Sequence, residues 1–184
     1  MNKFKSRTLF LDRDGVINKR FIGDYVKHPD DFEFIDKVPE AIKIFSDIFS
    51  KIIVVTNQQG IGKGLMTHND LAEIHQKMET GVREVGGRID AVFYAPELAK
   101  ERSFLRKPNI GMGLKAKKQF PEINFRESII AGDSLSDMKF GKRLKMTTIL
   151  VGDEPELAKE YPQIIDYYFP SLYHFAEYLR VSCI

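Results

Sequence analysis

At 184 residues, 43% of them apolar, the chain has room for one domain with a sizeable core and would be cramped as two. No apolar run approaches a membrane span, and a net charge of +2 is too small to argue for nucleic acid by itself. The basic N-terminus leads into too short an apolar run for a signal peptide, and the single cysteine, Cys183, excludes a disulfide within the chain, so a cytoplasmic setting is expected.

The first predicted element is a buried strand over Thr8–Leu11, a compact apolar run bounded by charge. It ends in Asp12, Arg13, Asp14 and Gly15. If the strand continues, period-two alternation points Asp12 and Asp14 the same way; if the chain turns at Gly15, Asp14 can swing to face Asp12. Either arrangement crowds two acids that repel unless a cation joins them. Residues 18–36, with Gly23 and Pro29, are long for a loop and read as a small hairpin or a functional flap. Pro39 opens a helix whose Ala41, Ile42, Phe45, Ile48 and Phe49 share one face.

A β-branched run without alternation, residues 51–56, predicts a strand buried on both faces. A glycine-rich loop, residues 59–64, leads to Thr67 and Asp70, which read as the capping box of a helix reaching about Glu84. A third strand is expected over residues 91–94, a helix over about 112–120, a strand over 128–131 ending in Gly132 and Asp133, and a short helix over about 137–144. Residues 147–151 form another strand, followed by an acidic loop, a last short strand over 166–169, and a helix capped by Ser171. Strands alternating with helices predict an α/β fold: a Rossmann-like three-layer sandwich with a mostly parallel sheet and no large cap domain, taken as a single domain over residues 1–184.

Open α/β sheets bind ligands outside the carboxyl ends of their strands. Here those ends carry Asp12, Asp14, Thr56, Asn57, Ala95, Asp133 and Asp153, and Lys107 lies in a nearby loop. Convergent acids with one lysine suit a metal-bound phosphate. Two other motifs fail: Gly62-Lys63 lacks the first glycine and final Ser/Thr of a P-loop, and Gly111-x-Gly113 follows no strand, as a dinucleotide fingerprint must.

In order and interval, four of these elements resemble the motifs of the haloacid dehalogenase superfamily: Asp12-Arg13-Asp14-Gly15-Val16, Thr56-Asn57, Lys107, and Gly132-Asp133 with Asp137. Within it, Thr56-Asn57-Gln58-Gln59-Gly60 and Arg106-Lys107-Pro108 are similar to the branch that holds heptose-bisphosphate and histidinol-phosphate phosphatases. The resemblance implies a phosphatase with Asp12 as nucleophile and Asp14 as general acid and base. It implies magnesium held by Asp12, the Asp14 backbone carbonyl and Asp133, with Thr56 and Lys107 on the phosphoryl oxygens and Asp137 behind them. Asn57 and Arg106 are expected near the substrate, which would be a small phosphorylated metabolite and foremost a heptose bisphosphate. Histidinol phosphate or a nucleic-acid 3′-phosphate are the alternatives, and a non-catalytic binding module is disfavoured by the retained acids. Neither a nucleic-acid nor a membrane partner is expected, and a monomer is favoured.

Many members of that branch carry a zinc loop, which would fall at about residues 95–106. Ala95, Glu97, Ser103 and Leu105 stand at the ligand positions, so no zinc is expected. The four histidines, His28, His68, His75 and His174, read as surface or capping residues.

Overall fold

The computed structural model describes residues 7–21 and 23–182. The basic segment 1–6 and Cys183 lie outside the described residues. Six strands form one sheet in the order β3-β2-β1-β4-β5-β6: β1 Thr8–Leu11, β2 Lys51–Asn57, β3 Ala91–Ala95, β4 Ile129–Gly132, β5 Thr147–Val151 and β6 Tyr167–Phe169. Every pairing is parallel. The chain winds outward from β1 to β3, then returns to the other side of β1 with β4, so the order reverses between β1 and β4. That switch point opens a crevice at the strands' carboxyl ends.

Alternation along the strands divides the core. Leu9, Leu11, Ile52 and Val54 face one layer, in which the buried sides of α1 (Val38–Ile48), α3 (His68–Glu84) and α7 (Leu172–Ser182) pack. Phe10, Ile53 and Val55 face the other, packed against Met112 and Ala116 of α4 (Gly111–Gln119) and Phe140 of α5 (Leu135–Arg143). β1 is therefore buried on both faces, and its carboxyl end is held rigidly. Thr67 caps α3 reciprocally with Asp70 as expected.

Two helices appear where irregular chain was expected. α2 (Gln59–Gly62) is a single turn inside the glycine-rich segment, and α6 (Pro155–Glu160) starts with Pro155 at its first turn in the acidic stretch. Glycines and acids masked both. The 18–36 segment is tied to the β1 end: Asn18 bridges to Asp14 and Phe34, and the Lys19 amide donates to the Glu33 carbonyl. Among the described residues no helix is long and apolar enough to cross a membrane.

Candidate active site

β1 delivers Asp12 to the switch point, and the chain then turns sharply. The Arg13 carbonyl accepts the amides of Val16, Ile17 and Asn18. Gly15 makes the turn possible with φ of 87°, and a Cβ there would sit 1.9 Å from Asp133 Oδ2. Glycine at this position thus lets the end of β1 approach the end of β4.

On the β4 side, Asp12, Asp133 and Asp137 each present a carboxylate oxygen within 4.8 Å of the others. Lys107 Nζ enters this cluster almost free of solvent, 2.8 Å from Asp12 Oδ1, 2.5 Å from Asp137 Oδ1 and 2.7 Å from the Val55 carbonyl. Burial pulls its pKa down, but Asp12 and Asp137 outweigh that and hold it above the usual lysine value. Asn57 clamps the lysine's backbone, accepting its amide at 2.9 Å and donating to its carbonyl at 3.1 Å. Asp137 is committed three times, to Lys107, to the Ser134 hydroxyl at 2.6 Å and to the Ser134 amide at 3.1 Å. Asp133 Oδ2 meets Arg20 Nη1 of the flap at 3.2 Å.

Burial, then the charge of Asp137, pushes Asp12 up to about 7 and Asp133 up to about 6. Carboxylates so crowded are short of positive charge. Their hard oxygen donors suit magnesium, so the residues present fit that ion.

Asp14 has its own partners. Its carboxylate accepts from Arg13 Nη2 at 2.8 and 3.0 Å, Asn18 Nδ2 at 3.0 Å and Gln58 Nε2 at 2.7 Å. Burial alone would raise its pKa, but Arg13, Asn18 and Gln58 together hold it below the ordinary value. Gln58 Nε2 also donates to Thr56 Oγ1 at 2.9 Å, leaving the threonine hydroxyl hydrogen free to point elsewhere.

Arg106 is half-buried on the rim, its Nη1 3.4 Å from the Glu97 carbonyl. Of the remaining strand ends, Ala95 is core and Asp153 is exposed outside the carboxylate cluster.

The histidine reading needs one correction. His28 caps and His174 is exposed, its amide donating to the Ser171 hydroxyl, but His75 is buried on the inner face of α3, with Nε2 3.3 Å from Arg13 Nη1. Three site residues were given no role by sequence reasoning: Arg13 and Gln58, quoted only within motifs, and Asn18, all buried around Asp14. For His75 the available signal was its place among Leu71, Ile74, Met78 and Val82 on an otherwise apolar stripe.

A Rossmann-ordered sheet with acids from two neighbouring strand ends and a buried lysine defines an α/β phosphohydrolase. The family model described as polynucleotide kinase 3 phosphatase matches residues 8–155. A D-glycero-alpha-D-manno-heptose-1,7-bisphosphate 7-phosphatase of Mycobacterium bovis is 40% identical over 131 residues, 71% of this chain and 69% of its own. A D-glycero-beta-D-manno-heptose-1,7-bisphosphate 7-phosphatase of Haemophilus influenzae is 31% identical, over 91% of this chain and 93% of its own. The crystal structure of a D,D-heptose 1,7-bisphosphate phosphatase from B. bronchiseptica, complexed with magnesium and phosphate, superposes with a TM-score of 0.86 at 26% identity, covering 96% of this chain and 99% of that one. The chain belongs to the haloacid dehalogenase superfamily of phosphatases.

Proposed function

We propose that this chain removes the 7-phosphate from D-glycero-D-manno-heptose 1,7-bisphosphate through an aspartyl-phosphate on Asp12, acting as a single domain and a cytoplasmic monomer. The observation that carries the chemistry is the convergence of Asp12, Asp133 and Asp137 with Lys107 at the β1–β4 switch point. The relatives' names carry the substrate.

Asp12 attacks phosphorus, the bond to the leaving oxygen breaks, and Asp14 gives that oxygen a proton. Asp14 then takes a proton from the water that cleaves the acyl phosphate. As it stands, Asp14 is ionised and ready for that second step; a phosphate dianion entering beside it raises its proton affinity for the first. Lys107 and Thr56 hold the transferring oxygens, and Lys107 must loosen its grip on Asp12 to do so, because all three of its hydrogens already have acceptors. Asn57 keeps the lysine in place, and Asp137 orients it. Asp12, Asp133 and the Asp14 carbonyl would hold magnesium, which when bound supplies positive charge against the phosphate's own.

The test is hydrolysis across a panel with magnesium present: heptose bisphosphate, histidinol phosphate and a 3′-phosphorylated oligonucleotide. Preference for histidinol phosphate would displace the sugar. The family model favours one second reading, a nucleic-acid 3′-phosphatase. Preferential release of phosphate from the oligonucleotide would establish it; the small net charge weighs against it.

A further inference from the structure

Arg13 is wholly buried, the largest side chain among the described residues to be so. Burying a guanidinium is costly, and an apolar residue of similar size would serve a core at least as well. What its cost secures lies in its contacts. Nε and Nη2 form a fork on Asp14, at 3.2 Å and at 2.8 and 3.0 Å. The remaining arm, Nη1, meets His75 Nε2 at 3.3 Å. A guanidinium only donates, so Nε2 must be the unprotonated nitrogen and the ring hydrogen must sit on Nδ1. Burial first, then the charge of Arg13, drives the His75 pKa down to about 3, so the ring stays neutral at any working pH. It is an acceptor built into α3, with Tyr94 against its ring at 6.1 Å between centroids.

We infer that His75 is a positioning residue for phosphoryl transfer: by accepting from Arg13 Nη1 it fixes the plane of the fork that aims the Asp14 carboxyl at the leaving oxygen. Without that acceptor the guanidinium is free to rotate, and Asp14 loses the partner that grips both its oxygens. Gln58 and Asn18 then hold it less exactly, each through one bond.

This inference rests on the role of Asp14 proposed above, and the experiment separates the two. Single-turnover rates are measured with excess enzyme on heptose 1,7-bisphosphate, whose alkoxide needs a proton to leave, and on p-nitrophenyl phosphate, whose phenolate does not. Both report the first chemical step. His75→Leu should slow the alkyl substrate by about 10- to 100-fold, the scale of a small misplacement of a catalytic group. It should leave the aryl rate within about twofold and hardly move KM, since no binding contact is lost. His75→Gln places an amide oxygen where Nε2 was and should recover most of the loss; His75→Asn, whose oxygen stops short, should not. The Gln and Asn pair decides the matter even if the leucine variant does not fold. Equal losses on both substrates, or Gln and Asn behaving alike, would overturn the positioning role. Failure of the wild type to hydrolyse either substrate would instead overturn the proposed activity.

Discussion

The ammonium of Lys107 lies 2.8 Å from the Asp12 carboxylate, in a cluster where a second acid, Asp137, is closer still. Opposite charges this deeply placed depend on one another. Lys107→Met should therefore cost about 3 kcal/mol in EDTA, the low end for breaking a buried pair, because Asp12 can relieve itself by taking up a proton. It should also cut phosphatase activity by about 10²–10³-fold, the scale of one lost oxyanion donor. Urea unfolding and steady-state rates check the two numbers separately. A variant as stable as the wild type would mean the pair contributes nothing to the fold.

The nucleophile is tested by size-conserving amides. Asp12→Asn removes the attacking charge while keeping the shape, so hydrolysis should fall by several orders of magnitude with the fold intact. Asp14→Asn should lose about 10²–10⁴-fold for want of a proton carrier. Near wild-type turnover by Asp12→Asn would rule out the aspartyl-phosphate route.

How much of this was readable beforehand depends on whether the signal is local. The fifth strand runs Thr147–Val151 as its β-branched run predicts, and the Thr67–Asp70 capping box is visible in four letters. Asp12 and Asp133 were legible because an α/β order places strand ends together whatever the loops do, whereas Lys107, in the loop between β3 and α4, stood out through its resemblance to a family motif. Arg13 and His75 were not. Their contact spans 62 positions, and nothing in either neighbourhood announces the other. Gln58 reads as one more polar loop residue until its amide is seen bridging Asp14 and Thr56. α6 escaped because its acidic residues looked like solvated loop, although Pro155 marked its start.

Metal dependence follows from the crowding of Asp12, Asp133 and Asp137. EDTA should abolish activity and magnesium should restore it. Independently of activity, magnesium at about 100 times its Kd should stabilise the fold by about 2.7 kcal/mol, read as a rise in Tm. Asp133→Asn should lose that rise. The purified protein should hold no stoichiometric zinc, since Ala95, Glu97, Ser103 and Leu105 supply no thiolate. Elemental analysis finding one tight zinc per chain would contradict that reading of the 95–106 loop.

Acid stability should carry a contribution from Asp166, away from the site. Burial would raise its pKa, but Lys142 Nζ at 2.5 Å, the Thr148 amide at 2.9 Å and the Thr148 hydroxyl at 3.0 Å hold it below the ordinary value. A depressed folded-state pKa stabilises above the unfolded value, about 3.9, and that stability drains away as pH falls through the folded one. Solvent reaches the pair, so the contribution is about 0.2–1 kcal/mol. Asp166→Asn should lower stability at pH 7 by that amount and leave the protein's decline below about pH 4 shallower. An unchanged acid limb in urea titrations would show that the carboxylate is not linked to folding.

Substrate choice can be tested at Arg106. With no separate cap layer among the described residues, selectivity must come from the rim: the 18–36 segment, the loop after Thr56, and Arg106. Among the described residues Arg106 Nη1 hydrogen-bonds a carbonyl, that of Glu97 at a long 3.4 Å, so its fork can be recruited by a second anion. A bisphosphate offers one and p-nitrophenyl phosphate does not. Arg106→Ala should therefore reduce kcat/KM for heptose 1,7-bisphosphate by about 30-fold, the worth of one charge-assisted hydrogen bond of about 2 kcal/mol. The loss on p-nitrophenyl phosphate should stay within about threefold, since that substrate has no remote phosphate to lose. Parallel losses on the two substrates would assign Arg106 to the transferring phosphate or to the fold, and the rim would have to find its specificity in Lys19 or Arg20 of the flap.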